Sequence, residues 1–195
     1  MHSTLIDSRF LGSLFSTPEM KNVFSDNATL VRYTETEVAL ALAEGKLGVI
    51  PADAAKTIAE RAHSIALDMD RLERETHNVG YPILPLVHQL AEGLGDAGKF
   101  LHWGATTQDI MDTALVLQIR AGLDLVEADL RGVAAQLRRL SAEYRDTPMA
   151  GRTHLQHALP VTFGLKTAIW LGMVERNLER LQQLRPRVLV GQFAG

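Results

Sequence analysis

The chain has 195 residues, of which 46% are hydrophobic and 22% charged, a composition typical of a globular protein. The formal net charge is −3 and no dense run of Lys or Arg occurs, so nucleic acid is not expected as a partner. Cysteine is absent, which excludes disulfides, thiolate nucleophiles and cysteine-based metal sites. Neither a run of about 18 apolar residues nor a signal-peptide pattern is found, so we expect a cytoplasmic protein that does not bind membranes.

Helical spacing of apolar residues dominates the first part of the chain. It predicts a helix from about residue 18 to 44, ended by the glycines that follow, and a second helix over about 51–75. A short helix is expected over 86–92, followed by a Gly-rich loop over 93–98.

A break separates the second of these helices from the third. Residues 76–85 contain one Gly and two Pro, which predicts a non-helical segment. His77 and Asn78 lie in it. They are either ordinary polar loop residues or contributors to a site assembled from distant segments.

Two long apolar stripes follow. The first runs from Leu115 to Tyr144 in steps of three and four residues, and the second runs from Val161 to Val188. Pro186 is expected to kink or end the second helix. Because no strand-like alternation persists, the sequence predicts an all-α fold.

We expect two domains, a small helical amino-terminal domain over 1–110 and the first long helices of a bundle over 111–195. Two long helices on their own would leave apolar surface exposed. The stripes therefore need further helices, other subunits or both.

One polar cluster, residues 102–109, precedes the first long helix. Thr106, Thr107, Gln108 and Asp109 fit a helix N-cap with an acidic residue in the first turn. They also fit a carboxylate-binding site, because the N–H groups of a first helical turn lack intrahelical partners. The two interpretations are compatible.

A second polar cluster, residues 151–162, precedes the second long helix. His154 lies in it beside Thr153 and Gln156, where it is either a structural histidine or a general acid or base. His157 could pair with His154 on a metal ion, but no acidic residue accompanies them, so no metal is expected. Two such clusters favour a small substrate that carries several carboxylates.

At these clusters the chain resembles the fumarase/aspartase superfamily, and within it the branch of 3-carboxy-cis,cis-muconate cycloisomerases. The resemblance extends to residues 14–20, 77–90 and 184–190. It implies an all-α homotetramer whose subunits share a helical core, with active sites built from three subunits. It also implies cofactor-free addition or elimination beside a carboxylate, which in the cycloisomerase branch is a lactonisation in protocatechuate breakdown by the β-ketoadipate pathway.

The resemblance assigns roles to particular residues. His154 matches the general acid of the superfamily and His77 its assisting histidine. The residues that would bind substrate are Thr106, Thr107, Gln108, Asp109, Thr153, Gln156 and Asn78.

Three features depart from the family pattern. The third motif, a Gly-Ser-Ser-x-Met-Pro-x-Lys-x-Asn loop with the Ser base, is absent, so we expect the amino-terminal part of an enzyme that is inactive by itself. His154 stands where many bacterial cycloisomerases carry Trp. Leu14 and Phe15 replace the Arg-Tyr pair with which adenylosuccinate lyases bind nucleotide phosphate.

Three functions therefore remain open. The first is a cycloisomerase that lactonises a polycarboxylate. The second is a C–N lyase of the same superfamily that releases fumarate from a substituted succinate, as adenylosuccinate lyases do. The third is a helical assembly fragment without chemistry.

Overall fold

The computed structural model describes residues 4–195. A short 3-10 helix at Gly12–Leu14 precedes the first α-helix, and two more lie at Ala62–Ser64 and Gly95–Phe100. In the described residues the other elements are, in chain order, α1 (Pro18–Val23), α2 (Asp26–Leu47), α3 (Ala52–Arg61), α4 (Met69–Val79), α5 (Ile83–Leu94), α6 (Thr107–Glu143), β1 (Pro148–Thr153), β2 (Gln156–Thr162) and α7 (Phe163–Val188). The predicted all-α class is confirmed, with a single small hairpin added.

The described residues pack as two units, one formed by residues 4–119 together with Leu189–Gly195, and the other by Arg120–Val188. The predicted domain division after residue 110 stays a prediction. In the first unit the core consists of apolar side chains from α2, α3, α5 and the start of α6. Ile58, Ile83 and Leu86 are completely buried there. Each such side chain contributes about 1.5–3 kcal/mol to folding.

The helix predicted over 18–44 is in fact two helices. The Ser25 hydroxyl accepts a hydrogen bond from the Ala28 N–H at 3.2 Å, so α2 begins with a cap of its own. α2 also continues through Gly45. Glycine is required there by packing, because a Cβ would collide with Ala55 of α3. α2 ends at Gly48, which takes the left-handed conformation with a φ of 71°.

The boundaries predicted between 51 and 85 are wrong in two places. Asp68 caps a separate helix, α4, so the segment expected to be one helix is two. α4 then continues to Val79 and includes His77 and Asn78, which were predicted to lie in a break. The break is limited to the three residues after Val79, because Gly80 ends α4 with a φ of 88°. Pro85 lies in the first turn of α5, where a missing N–H is tolerated.

In the second unit the long stripes form helices as predicted, and Pro186 lies two residues before the end of α7. The hairpin between them was not predicted. β1 and β2 are antiparallel, pairing Pro148 with Thr162 and Thr153 with Gln156, with an irregular register between Ala150 and Arg152. The second polar cluster, which was predicted to precede the second long helix, is therefore a hairpin that leads directly into α7.

Close approach of α6 and α7 depends on Gly164. Its N–H donates to the Tyr144 carbonyl at 2.9 Å, and the Ser141 hydroxyl donates to its carbonyl at 3.2 Å. A Cβ at this position would lie 2.8 Å from the Tyr144 carbonyl oxygen. The contact leaves no room for a larger residue.

We expect Gly164→Ala to lower the free energy of unfolding by about 1–3 kcal/mol, because the backbones must separate. Gly132→Ala is the matched control, since Gly132 lies within α6 with nothing within 4 Å of an added Cβ. That variant should gain about 0.5–1 kcal/mol from helix propensity. Urea unfolding of both variants measures the difference. Equal effects of the two substitutions would contradict the packing described.

Much apolar surface of the second unit is uncovered. The exposed side chains on β2 and α7 include Leu159, Leu165, Ile169, Trp170 and Met173. A group of large exposed apolar side chains such as this is typical of an interface. Across residues 4–195, no helix is long and apolar enough to cross a membrane.

Candidate functional site

The start of α6 is shaped by a loop with two left-handed residues. His102 has a φ of 59° and Gly104 a φ of 69°, which turn the chain into the helix that begins at Thr107. Glycine takes this conformation without strain, whereas histidine does so at a cost. The loop therefore holds His102 in an arrangement that the surrounding structure must stabilise.

Asp109 closes the first turn of α6. Its carboxylate accepts hydrogen bonds from the N–H groups of Thr106 at 2.9 Å, Ala194 at 2.8 Å and Gly195 at 3.1 Å. The side chain is 1% exposed. These hydrogen bonds, that of Thr106 above all, hold the pKa of Asp109 below its usual value.

The three residues before Asp109 are more accessible. Thr106 and Gln108 are exposed and Thr107 is half-buried. The Gln108 amide donates to Asp112 at 2.6 Å, and neither threonine hydroxyl has a hydrogen-bond partner among the described residues. The two threonine hydroxyls and the N–H groups of Thr107 and Gln108 are therefore available to an anion at this helix start.

His102 makes a contact that the sequence did not reveal. Its Nδ1 lies 2.6 Å from Oε1 of Glu37, a residue of α2 that is completely buried. The hydrogen bond with Glu37, followed by the charges of Glu37 and Asp109, raises the pKa of His102 against the opposing effect of burial. The only local signal was the His-Trp-Gly sequence, because the partner lies 65 residues away.

His77 and Asn78 are exposed in the last turn of α4. His77 lines a cavity of about 450 Å³, together with the buried Tyr33. Three acidic residues also line the cavity, namely Asp26, Asp70 and Glu73. Their charges disfavour a polyanion inside it.

The second unit holds the other predicted residues at the tip of the hairpin. His154 and Leu155 are its two turn residues, with φ values of 47° and 62°. Two-residue turns with positive φ usually contain Asn and Gly, so this pair is strained. His154, Thr153 and Gln156 are exposed, and Leu155 projects completely into solvent.

The space between the hairpin and α7 carries positive charge. Arg152 and Lys166 line a cavity of about 490 Å³ between the hairpin and α7. The Lys166 ammonium also lies 5.1 Å from the centre of the Trp170 ring, a cation–π arrangement. Among residues 4–195, no three His, Asp or Glu side chains are grouped as a metal site would require.

Comparison with known proteins identifies the family to which the chain belongs. The chain belongs to the lyase family whose model matches residues 15–195, within the fumarase/aspartase superfamily. It is 46% identical to an N-acetyl-S-(2-succino)cysteine lyase of Dickeya dadantii, over the whole chain and 43% of that protein. It is 42% identical to a 3-carboxy-cis,cis-muconate cycloisomerase of Pseudomonas aeruginosa, over 96% of the chain and 42% of that protein.

Solved structures agree with this assignment. A fumarate lyase from Mesorhizobium sp. BNC1 superposes with a TM-score of 0.90 and 56% identity, over 93% of this chain and 43% of that one. The chain thus spans less than half the length of the relatives it matches. The predicted superfamily, and the similarity to its cycloisomerases, are confirmed.

Proposed function

We propose that the full-length protein catalyses acid–base addition or elimination at a carbon next to a carboxylate of a small polycarboxylate. The observation that carries this proposal is the helix start at α6. There, free N–H groups, two unpartnered threonine hydroxyls and the His102 imidazole lie in one loop and helical turn. This combination suits a substrate carboxylate, which needs several donors at once.

Within this proposal the predicted residues take different parts. Thr106, Thr107 and Gln108 bind one carboxylate. Asp109 positions them, because its oxygens already accept three backbone N–H groups. Thr153 and Gln156 bind carboxylate on the hairpin, and His77 and Asn78 contribute from α4.

His154 is the proposed general acid. In an elimination, a base removes a proton from the carbon beside the carboxylate, the bond from the next carbon to the leaving group breaks, and His154 protonates that group. The negative charge that builds on the carboxylate in between is stabilised by N–H and hydroxyl donors. A strained, exposed hairpin tip is a plausible place for such a residue, because strain is retained where function requires it.

Two reactions of this class compete. Lactonisation of 3-carboxy-cis,cis-muconate is supported by the similarity to the Pseudomonas cycloisomerase and by Leu14 and Phe15. Release of fumarate from a substituted succinate is supported by His154 and by the similarity to the succinocysteine lyase. The substituent is an amine in the C–N lyases of the superfamily and a thiol in that relative.

One experiment separates them. Purified full-length protein is incubated with 3-carboxy-cis,cis-muconate, and separately with N-acetyl-S-(2-succino)cysteine and an N-succinyl amine. Loss of muconate absorbance identifies the cycloisomerase, and appearance of fumarate identifies the lyase. If none of these compounds is turned over and fumarate causes no thermal shift, the result favours the third function, a helical assembly without catalytic activity.

We also propose that the protein is a homotetramer with active sites shared between subunits. The exposed apolar face of β2 and α7 supports this, since burial in a core between subunits would cover it. Light scattering of the full-length protein tests the assembly. The assignment to the cytoplasm stays a prediction.

A further inference from the structure

Glu37 is an unusual residue for the interior of this unit. It lies on the buried face of α2, between Tyr33 and Ala41, and its side chain is completely inaccessible. A carboxylate in such a place is unfavourable unless it is paired, and an apolar residue of similar size would pack without that penalty. A buried glutamate at this position therefore indicates a specific role.

The hydrogen bonds of Glu37 indicate what that role is. Among the described residues its side chain has one partner, the imidazole of His102, and its second oxygen is buried without any. Glu44, two turns further along α2, is also buried and does not contact His102. The Glu37 carboxylate thus stabilises nothing else on its helix.

The far side of the His102 ring is open. Nδ1 is occupied by Glu37, while Nε2 has no hydrogen-bond partner in the described chain and the side chain is 20% exposed. The ring is carried by a left-handed residue four positions before Thr106, in the loop that leads into α6. The second nitrogen can therefore donate to an anion bound at that helix start.

We propose that Glu37 is a positioning residue, whose buried carboxylate fixes the His102 imidazole so that Nε2–H donates to a substrate carboxylate at the start of α6. This rests on the proposed function, since it names a further group at the same site. Glu37 itself does not touch the substrate.

The charged groups around the pair define its pH dependence. Two carboxylates face His102, that of Glu37 from α2 and that of Asp109 from α6. Glu37 in turn faces Glu44 along α2. The raised pKa of His102 extends the pH range over which the imidazole is charged beyond that of an ordinary histidine. Carboxylate binding is then fully present below the ordinary pKa of histidine and is lost as the pH rises through the raised value.

The test compares Glu37→Gln with Glu44→Gln in the full-length protein. Glutamine keeps a hydrogen-bond partner for Nδ1, since its amide can also donate to the neutral ring, but removes the charge. Glu44→Gln removes a buried carboxylate of the same helix that does not contact His102. Fumarate is the probe, with its affinity measured by calorimetry from pH 6 to pH 9 and its kinetics by the substrate turned over. Labelled histidine NMR gives the His102 pKa, assigned with His102→Gln.

In Glu37→Gln we expect a lower His102 pKa and, between the pKa values of the two proteins, roughly tenfold weaker fumarate binding, because a charge-assisted hydrogen bond becomes a neutral one. The alkaline limb of kcat/KM should move to lower pH by the same amount as the pKa. Glu44→Gln should leave both curves in place. Identical curves for Glu37→Gln and the unaltered protein would overturn the proposal.

Failure of this inference is distinguishable from failure of the proposed function. If the full-length protein turns over none of the polycarboxylates, the function fails, yet the NMR titration still shows whether Glu37 controls His102. If Glu37→Gln does not fold, the test is the pKa of His102 in the unaltered protein. A His102 pKa there no higher than the ordinary value for histidine, about 6.5, overturns the pairing.

Discussion

Replacing His154 by alanine is expected to reduce kcat of the full-length protein by roughly 10²–10⁴-fold, because the leaving group must depart without a proton donor. The residue sits in the strained turn at the hairpin tip, and its side chain is exposed there. Steady-state turnover of whichever polycarboxylate proves to be the substrate measures the effect. KM should change little if the residue acts only in the chemical step.

His157→Ala is the matched control for this variant. His157 lies three residues further along, on β2 opposite Arg152, and is also exposed. Its loss should leave kcat within a few-fold of the unaltered protein. An unchanged kcat in His154→Ala, or equal losses in both variants, would remove the general-acid role from His154.

Replacing Asp109 by alanine is expected to lower the free energy of unfolding by about 2–4 kcal/mol, because three backbone N–H groups lose their acceptor. Urea unfolding measures the loss. Asp112→Ala, one turn further along α6, is the control. Among residues 4–195, Asp112 accepts only from the exposed Gln108 side chain, so its effect should stay within about 0.5 kcal/mol. Equal losses in the two variants would contradict the role of Asp109.

The same residue predicts a pH dependence of stability. The pKa of Asp109 is lower in the folded protein than in the unfolded chain. Its contribution is therefore complete above the unfolded value of about 4 and is lost as the pH falls through the folded value. Melting temperatures of the unaltered protein should fall faster with acidification than those of Asp109→Asn. Parallel curves would contradict this linkage.

The long helices could be predicted because their signal is local and repeated. Steps of three and four between apolar residues continue for some thirty positions in α6, and no single residue decides the outcome. Helix ends depend on single side chains. Ser25 and Asp68 start helices within segments that seemed continuous, and Gly80 ends α4 only after His77 and Asn78.

The hairpin could not be predicted from alternation. β2 is only seven residues long and contains Pro160, and its turn has His154 and Leu155 where Asn and Gly are usual. Its register also depends on Gly151, where a side chain would collide with the Leu159 carbonyl. Cross-strand pairing of this kind leaves little trace in composition.

Some features of the candidate site could likewise be predicted from the sequence, and others could not. The donors at the start of α6 were visible, because Thr106 to Asp109 are consecutive and precede an apolar stripe. The pairing of His102 with Glu37 was not, because it joins residues 65 positions apart. That Asp109 accepts from Ala194 and Gly195 was equally hidden, because only the folded chain brings these segments together.

The return of the last residues to Asp109 also bears on the order of folding during synthesis. Ala194 is 85 positions beyond Asp109, so its amide leaves the ribosome long after the first turn of α6. Closing so long a loop costs about 2–3 kcal/mol more entropy than closing a single turn. During synthesis the Asp109 carboxylate therefore lacks its hydrogen bonds from Ala194 and Gly195 until α7 has been translated.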